Sequence, residues 1–439
     1  MLPVFGRYFF PHIIRGTDEV PECHAGLIRE LSSAKSSAII FPRHFAKTTW
    51  EKIDTIHDIV YGLEPVILYV GATLRDGQFH FESIKGELEN NELLRSIYGN
   101  LVPDPKNLGR KWTNTHFETL NRVNVVARTR AKGRGVNIRN QRPTKIILDD
   151  IEDDETVRNA DLRKKLDHWI FGVIVQSRDK QRGRVKMIGT ILHPESSLVK
   201  FYKTFSGLKR AAIEDGTSIW PEMWPLSSLE EERGKIGTLL FNQEYMNQPI
   251  TAAERMVSEE TLRKVPRPAR ESLDMYGAID PAISEKQTAD YTAIVSAGRR
   301  TDSGKIVVWA VERGHLAFPE QIRTVLRRHV QHQYLLFGVE TVAYQRALKQ
   351  ELDRVSAIDG TYVPTSELTV DTDKVRRFLK VLPFIENGTI QFCDDLPDEF
   401  FAELLEFPNG VHDDMVDAFV HAATLAIESS AMPEVIRLV

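Results

Sequence analysis

The chain has 439 residues and a formal net charge of −5, and 42% of its residues are hydrophobic. This length predicts two or three domains, and the apolar fraction is ordinary for a globular protein with packed cores. The charge excludes a uniformly basic nucleic-acid coat protein, but it allows a local basic groove in a chain whose acidic metal sites lower the total.

Several features of the sequence make the cell interior the expected compartment. No apolar run reaches the about 18 residues that a membrane-spanning helix needs. The start, MLPVFGRYFFPHII, lacks the basic region, continuous apolar core and small-residue cleavage site of a signal peptide. Cys23 and Cys393 are the only cysteines, which are too few for a disulfide framework or a zinc cluster.

The first half of the chain alternates short apolar runs with longer amphipathic stretches. The runs are SAIIF at 37–41, PVILYV at 65–70, TKIILDD at 144–150 and RVKMIGT at 184–190. This alternation predicts βαβ units around a mostly parallel sheet. Residues 128–142 are rich in Arg and Lys and contain no acid, which indicates either a surface that faces a polyanion or an ordinary solvated loop.

A change in composition near residues 250–270 predicts a domain boundary. The segment is polar, has little strand signal and contains three prolines, Pro249, Pro266 and Pro268. A second α/β unit is predicted to begin with the strand DMYGAIDPA. Further strands are predicted at YTAIVSAG, KIVVWAVERG and YLLFGVE. The first three strands of this unit are predicted to be antiparallel, because short turn-like gaps join them.

Residues FPRHFAKTT, 41–49, have the position and the tail of a phosphate-binding loop, G-x-x-x-x-G-K-[ST]. Phe41 and Ala46 replace its two glycines, whereas Lys47 and Thr48 are intact. Such a loop directs backbone N–H groups at phosphate oxygens above a helix N-terminus. Lys47 is expected to bind the β- and γ-phosphates of ATP, and Thr48 the Mg²⁺ ion. The alternative is a strand followed by a helix that happens to begin with these residues.

Two later strand ends supply the other half of such a site. The run TKIILDDIEDDE is an apolar strand that ends in carboxylates. Asp149 is placed to hold Mg²⁺ through water, and Asp150 or Glu152 to polarise the attacking water. The strand VKMIGTILHP ends in Gly189 and Thr190, a polar tip suited to sensing the γ-phosphate. Each feature alone also fits an ordinary turn, but the three in one order argue for a nucleotide site.

The second unit brings acidic residues to the ends of predicted elements. Asp280 ends its first strand, and Asp290 precedes the second strand, so that the turn between them places both at one end of the sheet. Glu340 ends a later strand. The run GVHDDMVDAFV begins a helix with Asp413, Asp414 and Asp417. At helical spacings of three and four residues these like charges repel, unless a cation lies between them.

Carboxylates from several elements suit hydrolysis of a phosphodiester by two metal ions, in which one ion activates water and the other stabilises the leaving oxygen. Oxygen ligands favour Mg²⁺, with Mn²⁺ as a substitute, and no Cys/His set competes. Each acid also has an ordinary alternative. The sequence HDD is a good helix N-cap, Glu340 fits a turn, and Asp280-Pro281 is a turn signal.

Together these motifs resemble the large terminase subunits of tailed double-stranded DNA phages, the motors that pump DNA into capsids. The loop PRHFAKTT is similar to the phosphate loop of that family, which often has an arginine at the position of Arg43, although Ala46 departs from the usual glycine. The segment PECHAGLIRELSSA, with His24, is similar to the family's adenine-side segment. The resemblance implies that the nucleotide contacts are Arg43, His44, Ala46, Lys47, Thr48 and Thr49.

The resemblance also implies an arginine that reaches the ATP of a neighbouring subunit from a position shortly before the acidic strand. Arg139 matches this position best, and Arg134 and Arg142 are rivals. A guanidinium suits the role because it neutralises charge that develops on the transferred phosphoryl group. The same resemblance implies that the MIGT strand couples hydrolysis to movement.

Three motifs of the second unit, D-P-A…D-Y-T-A, V-E-x-x-x-Y-Q and H-D-D-x-x-D-A, look like the RNase-H-like nuclease of the same family in the same order. By this resemblance the catalytic acids are Asp280, Glu340 and one of the pair at 413 and 414. We favour Asp414, because it shares a helix face with Asp417. Asp290 is expected to be an auxiliary metal ligand.

The expected fold class is therefore α/β, with a RecA-like P-loop ATPase domain at 1–255, a linker at 256–270 and an RNase-H-like nuclease domain at 271–439. The expected function is ATP-driven packaging of double-stranded DNA in the host cytoplasm, with cleavage of the concatemer. The implied partners are the portal protein, a small terminase subunit and further copies in a ring, although the isolated protein is compatible with a monomer. The alternatives are another ATP-dependent translocase or helicase with a nuclease, or a DNA-binding scaffold with a degenerate nucleotide site.

Overall fold

The computed structural model describes residues 2–14, 20–104, 111–129, 137, 138, 140–249, 256–281, 291–340, 343–368, 374–410 and 412–429. The chain divides into two compact units. The first comprises Met1–Glu231 and Phe241–Thr251, and the second comprises Glu232–Leu240 and Ala252–Val439. Within the described ranges, no helix is both long and apolar enough to cross a membrane.

The first unit is built around a seven-stranded sheet in the order β3-β4-β2-β5-β6-β1-β7. Its strands are β1 (Ser37–Ile40), β2 (Val66–Gly71), β3 (His116–Glu118), β4 (Asn124–Thr129), β5 (Lys145–Asp149), β6 (Arg184–Gly189) and β7 (Gly207–Lys209), with a separate small hairpin of β8 (Ile213–Glu214) and β9 (Thr217–Ser218). Every pairing in the large sheet is parallel except that of β3 with β4. The prediction of a mostly parallel sheet is confirmed, and its four predicted strands are β1, β2, β5 and β6.

The helices of the first half of the chain follow the strands in βαβ order. They are α1 (Leu2–Phe9), α2 (Glu22–Ser32), α3 (Lys47–Tyr61), α4 (Leu74–Asn90), α5 (Glu92–Tyr98), α6 (Asp154–Arg158), α7 (Ala160–Asp167), a π-helix (His168–Ile174), α8 (Val175–Ser177), α9 (Ser197–Phe205), α10 (Leu226–Ile236) and α11 (Thr238–Glu244). The division between the two compact units passes through α10 and α11.

Successive side chains of a strand point to opposite faces of the sheet. Both faces of this sheet are buried, but they carry different types of residue. One face is apolar and packs against α7, the π-helix and α9. Its sheet residues are Ala38, Ile40, Leu68, Val70, Ile146, Leu148, Val185 and Met187. The opposite face carries Lys145, whose fully buried ammonium donates to Asp54 at 2.6 Å and to Asp58 at 2.7 Å, both on α3.

A second buried lysine, Lys186, connects strand β6 to the end of α2 and to the start of β1. Lys186 of β6 donates to the carbonyl oxygens of Glu30 at 2.6 Å and Lys35 at 2.7 Å, and to the hydroxyls of Ser33 at 2.7 Å and Ser37 at 3.1 Å. These acceptors belong to the end of α2, to the loop after it and to the first residue of β1. Burial lowers the pKa of Lys186 to about 7, so the surrounding oxygens offset only part of the cost of removing its charge from water. Lys186 therefore ties α2 and β1 to β6.

The second unit contains another seven-stranded sheet, in the order β10-β16-β13-β12-β11-β14-β15. Its strands are β10 (Lys264–Val265), β11 (Leu273–Asp280), β12 (Thr292–Arg300), β13 (Ile306–Gly314), β14 (Leu336–Glu340), β15 (Thr365–Leu368) and β16 (Ile390–Cys393). The β11-β12 and β12-β13 pairs are antiparallel, which confirms the prediction for the first three strands. The remaining pairs are parallel.

The helices of the second unit cover this sheet. They are α12 (Phe318–His332), α13 (Ala343–Asp359), α14 (Lys374–Glu386), α15 (Asp398–Glu406) and α16 (Asp414–Glu428), with short 3₁₀ turns at Glu259–Thr261 and Arg270–Ser272. Helix α16 packs against β11, β12, β13 and β14. Twelve of its residues are buried, including Val416, Phe419 and Val420. This central position holds the acidic start of α16 in a fixed relation to the sheet.

Candidate functional site: a nucleotide pocket and an acidic sheet edge

The predicted phosphate loop joins β1 to α3, and Lys47 begins the helix. Ala46 is the N-cap residue, with φ 62° and ψ 24°, a left-handed conformation that glycine adopts far more readily than alanine. His44 also has a positive φ, 62°. Phe41, at the other glycine position, is buried in the core. The backbone of this loop therefore makes the left-handed turn that a glycine would favour, without having one.

Lys47 is buried, and its ammonium group lies within the loop. Nζ donates to the carbonyl oxygens of Phe41 at 2.9 Å and Pro42 at 3.1 Å, and to the hydroxyl of Thr190 at 3.1 Å. Burial lowers the pKa of Lys47, although the charge of Asp150 opposes this shift. The contact with Thr190 brings the polar tip after β6 next to the loop.

Asp149 ends β5, level with Gly71 at the end of β2. Its Oδ2 accepts hydrogen bonds from the hydroxyls of Tyr69 at 2.9 Å and Thr48 at 3.4 Å. Its Oδ1 is buried and has no hydrogen-bond partner in the described part of the chain. Burial, followed by the charge of Asp150, raises the pKa of Asp149 to about 7. A buried carboxylate oxygen without a partner suits a divalent cation or its bound water, so these residues fit Mg²⁺.

The two other acids after β5 differ in their surroundings. Asp150 is exposed and has a positive φ of 43°. Glu152 accepts hydrogen bonds from the backbone N–H groups of Ser197 at 2.6 Å and Leu198 at 3.2 Å, the first residues of α9. Burial raises the pKa of Glu152 to about 6. Glu152 therefore stabilises the start of α9, whereas Asp150 is the more accessible candidate for orienting water.

A cavity of about 760 Å³ lies beside the loop, within the first unit. Such a volume is typical of sites for small ligands. Its polar wall comprises Arg43, His44, Ala46, Lys47, Thr48, Thr49, Asp150, Glu152, Asp153, Thr190 and Glu244. Its apolar wall includes Ile13, Ile14, Pro21, Met223 and the rings of His24 and Trp220, whose centroids are 4.5 Å apart. All six residues predicted to contact the nucleotide from the loop line this cavity.

Sequence reasoning missed several residues of this cavity. Trp220 and Glu244 lie far after the loop in the chain, and neither was predicted as a site residue, although Glu244 belongs to FNQEYMNQPI, a segment similar to the one that closes the terminase ATPase domain. Glu244 accepts a hydrogen bond from the Arg43 guanidinium at 3.3 Å and, through its carbonyl oxygen, from the Arg43 backbone N–H at 2.9 Å. The two tryptophans of the segment SIWPEMW indicate an apolar surface, but the sequence does not show that this surface lies beside the loop.

Three arginines are candidates for contact with the ATP of a neighbouring subunit, and the structure describes one of them. Arg139 and Arg134 lie outside the described residues. Arg142 is exposed, and its guanidinium donates to the carbonyl oxygen of Gln176 at 3.3 Å. Arg142 is thus anchored in its own subunit, and the choice of Arg139 stays a prediction.

Two of the predicted acids of the second unit, Asp280 and Glu340, end neighbouring strands of its sheet. In the parallel pair β11-β14, Ile279 is opposite Val339, so the next residues, Asp280 and Glu340, end neighbouring strands at the same level. Asp280 is also opposite Ala293 of β12. Asp290 and the side chain of Glu340 lie outside the described part of the structure. The predicted placement of these acids on adjacent strand ends is thus visible for Asp280 and Glu340 at the level of the backbone.

The start of α16 lies near the same edge. His412 contacts the ring of Tyr291, which immediately precedes β12, at a centroid distance of 5.2 Å. Asp414 and Asp417 are buried in the first turn of α16. The acids predicted as metal ligands on this helix therefore lie near the strand ends that carry Asp280 and Glu340.

Basic residues of α14 bind two of these acids. Lys374 Nζ lies 2.6 Å from Asp413 and 3.2 Å from Asp417, and the Arg377 guanidinium lies 3.0 Å from Asp417. Burial lowers the pKa of Lys374, but its hydrogen bond to Asp413 and the charge of Asp417 outweigh burial and raise it. Asp413 is the N-cap residue of α16 but makes no side-chain capping hydrogen bond in the described structure. The side chains that the structure describes form no group of three or more metal-ligating residues.

Two comparisons with known proteins concern the fold of this chain. Residues 277–425 match the family model described as Terminase RNaseH-like domain. The chain as a whole is similar to the large terminase from a thermophilic bacteriophage, with a TM-score of 0.53, 12% identity and coverage of 91% of this chain and 98% of that chain. The chain therefore has the fold of a large terminase, which confirms the predicted α/β fold class, and its residues 277–425 match an RNase-H-like domain.

The particular resemblance to large terminase subunits is confirmed at the level of the fold. The large terminase of the same thermophilic bacteriophage in complex with ATP-gamma-S matches with a TM-score of 0.51 and 9% identity, over 91% of this chain and 98% of that chain. The large terminase nuclease from thermophilic phage G20c with bound cobalt has 18% identity, covers 40% of this chain and 98% of that chain, and has a TM-score of 0.30. No curated protein matches the sequence significantly.

Proposed function

We propose that the protein is the motor and nuclease subunit of a phage DNA-packaging machine. The first unit would hydrolyse ATP to move double-stranded DNA into the procapsid, and the second would cut the concatemer. The observation that carries the proposal is that Lys47 and Thr48 line a cavity of nucleotide size, with Asp149 next to Thr48 at the end of β5. The match of residues 277–425 to a terminase nuclease family supports the second activity.

In the ATPase, the chain's own residues divide the work. Lys47 would exchange its loop carbonyl acceptors for phosphate oxygens, which keeps its buried charge paired. Thr48 and Asp149 would hold Mg²⁺, which neutralises phosphate charge when it is bound. Asp150 would orient the attacking water from its exposed position. Thr190, at 3.1 Å from Lys47 Nζ, would respond when the lysine shifts to a phosphate.

In the nuclease, Asp280, Glu340 and Asp414 would hold Mg²⁺ or Mn²⁺, with Asp290, Asp413 and Asp417 as further ligands. This donor set consists of carboxylate oxygens, which are the ligands that hard divalent ions prefer. Bound ions of this kind activate water and stabilise the leaving oxygen of a phosphodiester. The protein would supply the fixed strand ends and the buried start of α16 that bring the carboxylates together.

The proposal extends to the organisation of the chain and to its partners. Residues 1–255 would form the motor domain, 256–270 the linker and 271–439 the nuclease domain. DNA would be gripped through its phosphates rather than its bases, because a motor must bind every sequence it moves. The portal protein, a small terminase subunit and copies of this chain in a ring, with Arg139 reaching the next subunit, are the proposed partners during assembly in the host cytoplasm.

The ATPase half of the proposal is tested by calorimetric binding of Mg-ATP to the isolated chain, since turnover requires neighbouring subunits if Arg139 acts in trans. Wild type is expected to bind, and Lys47→Ala is expected to lose binding. Lys203→Ala removes an exposed lysine of α9 outside the cavity and should leave binding unchanged. Absence of binding by wild type would contradict the motor function and leave the nuclease function standing.

The nuclease half is tested by plasmid cleavage in Mn²⁺. Asp280→Ala is expected to abolish cleavage and to leave Mg-ATP binding intact, because the two sites lie in separate units. Asp302→Ala is the matched control, since Asp302 lies in the exposed turn between β12 and β13, at the other end of the sheet. Equal cleavage by wild type and Asp280→Ala would refute the assignment.

A further inference from the structure

We infer that Tyr69 is a positioning residue of the nucleotide site, whose hydroxyl sets the orientation of the Asp149 carboxylate. The inference deepens the proposed ATPase function and rests on it. Tyr69 belongs to none of the motifs that identified the site, and it does not line the 760 Å³ cavity. It would act on the bound cation only through Asp149.

The first argument is the hydrogen bond itself. Tyr69 lies on β2, two residues before Gly71, which is level with Asp149 on the neighbouring strand. Its side chain therefore runs along the sheet to the end of β5, where its hydroxyl donates to Asp149 Oδ2 at 2.9 Å. A phenol hydroxyl that bonds to a carboxylate oxygen donates its hydrogen.

Because of this hydrogen bond, the two carboxylate oxygens of Asp149 have different surroundings. Oδ2 receives the hydroxyls of Tyr69 and Thr48, whereas Oδ1 is buried without a partner in the described structure. The bond from Thr48 is long, at 3.4 Å, so Tyr69 makes the stronger contact. A carboxylate held through one oxygen presents the other in a fixed direction, which is how outer-shell hydrogen bonds tune metal ligands.

The second argument is that the ring of Tyr69 is itself held in place by α4. Its plane stacks on His80 at a centroid distance of 4.3 Å and an angle of 11°. The ring also contacts Phe81 edge-on at 6.2 Å. These contacts leave the phenol little freedom to turn away from Asp149.

The third argument links this support to the phosphate loop. His80 Nε2 lies 2.9 Å from Glu51 Oε2, and both side chains are buried. Burial lowers the pKa of His80, but the Glu51 carboxylate outweighs burial and raises it. Glu51 lies one turn after Lys47 on α3. A continuous set of contacts therefore runs from the helix that begins the phosphate loop, through α4 and Tyr69, to Asp149.

If the Tyr69 hydroxyl were removed, water would reach its position from a neighbouring cavity. A second cavity of about 590 Å³, on the α4 side of the site, is lined by Tyr69, His80, Asp149 and Thr48, among others. In Tyr69→Phe the ring and its stacking would be kept, and Asp149 Oδ2 would lose its closer donor. The carboxylate would then be free to rotate, and its preference for one orientation would weaken.

The test is calorimetric ATP binding to the full chain, with excess Mg²⁺ and with EDTA. Tyr69→Phe is expected to lower the affinity in Mg²⁺ by about 10-fold, in the range typical for outer-shell residues, and to leave the affinity in EDTA unchanged. Tyr61→Phe is the matched control. It removes another tyrosine hydroxyl, bonded to Tyr98 at 2.7 Å at the opposite end of α3, and should have no effect in either condition.

A double-variant comparison makes the test specific. In the Asp149→Asn background, Tyr69→Phe should cause no further loss, because the carboxylate it positions is gone. Unchanged affinity of Tyr69→Phe in Mg²⁺, or an equal loss in Mg²⁺ and EDTA, would overturn the positioning role. If wild type binds no ATP in either condition, the proposed ATPase function fails and the inference fails with it. These outcomes are distinguishable in one set of titrations.

Discussion

Replacement of Ala46 by glycine should stabilise the first unit, although the same replacement destabilises an ordinary helix. Ala46 has φ 62° and ψ 24° at the N-cap of α3. A left-handed conformation costs a residue with a Cβ about 1–2 kcal/mol. Glycine avoids this cost but loses about 0.5–1 kcal/mol more backbone entropy on folding. The difference predicts a net gain of about 0.5–1 kcal/mol in the free energy of unfolding.

Urea unfolding followed by tryptophan fluorescence measures this gain in the appropriate unit. Five of the six tryptophans lie in the first unit, and only Trp309 lies in the second. At a urea m-value of about 2 kcal/mol per molar, the midpoint of the first unit should rise by about 0.3–0.5 M. The transition of the second unit should not move.

A matched alanine in the same unit provides the control. Ala25 is exposed in the interior of α2, where glycine costs about 1 kcal/mol. Ala25→Gly should therefore lower the midpoint, whereas Ala46→Gly raises it. If both variants lose similar stability, Ala46 does not have the left-handed conformation, and the account of the phosphate loop is wrong.

Two further predictions concern buried charge in the first unit. Lys145→Met should lower the free energy of unfolding by about 3–5 kcal/mol, because it removes the ammonium that pairs with the buried Asp54 and Asp58 and leaves only Arg184 near Asp58. Urea unfolding measures the loss, and replacement of both acids by Asn in the same background should recover part of it. A loss below about 1 kcal/mol would contradict the prediction. Burial lowers the pKa of His24 from 6.5 to about 4, so the unfolded chain binds more protons between these values and stability falls as the pH falls through this window. The full effect is on the order of 3 kcal/mol. His24→Phe should flatten the pH dependence of unfolding between pH 6.5 and about 4, and an unchanged slope would refute the assignment.

The strands that flank the phosphate loop were predictable because each is a short apolar run between amphipathic stretches. The predictions for β1, β2, β5 and β6 rest on that local pattern. Strands β7 and β16 have only three and four residues and were not predicted. The segment HWIFGVI forms a π-helix, but its sequence does not differ from that of an ordinary apolar helix. Short elements and helix type depend on packing partners that lie far away in the chain.

The predicted site residues show the same difference between local sequence patterns and contacts with residues far away in the chain. Lys47, Thr48 and Asp149 were predicted because a loop, a helix start and an acidic strand end follow one another in a recognisable order. The bonds of Glu152 to the start of α9 connect residues 45 and 46 positions apart, so no local pattern reveals them. Tyr69 approaches Asp149 across 80 positions. Its place in the apolar run PVILYV gives it the appearance of a core residue.

Lys186 limits how the strand that leads to the proposed nucleotide site can move. Its amino group is held by four oxygens from α2, β1 and the loop between them, so sliding of β6 along its axis would break four buried hydrogen bonds. Thr190, which contacts Lys47, follows only four positions later, about 13 Å of extended chain. Thr190 is therefore expected to move by rotation of the short backbone segment between Lys186 and Thr190. A translation of the whole strand β6 would break the hydrogen bonds of Lys186.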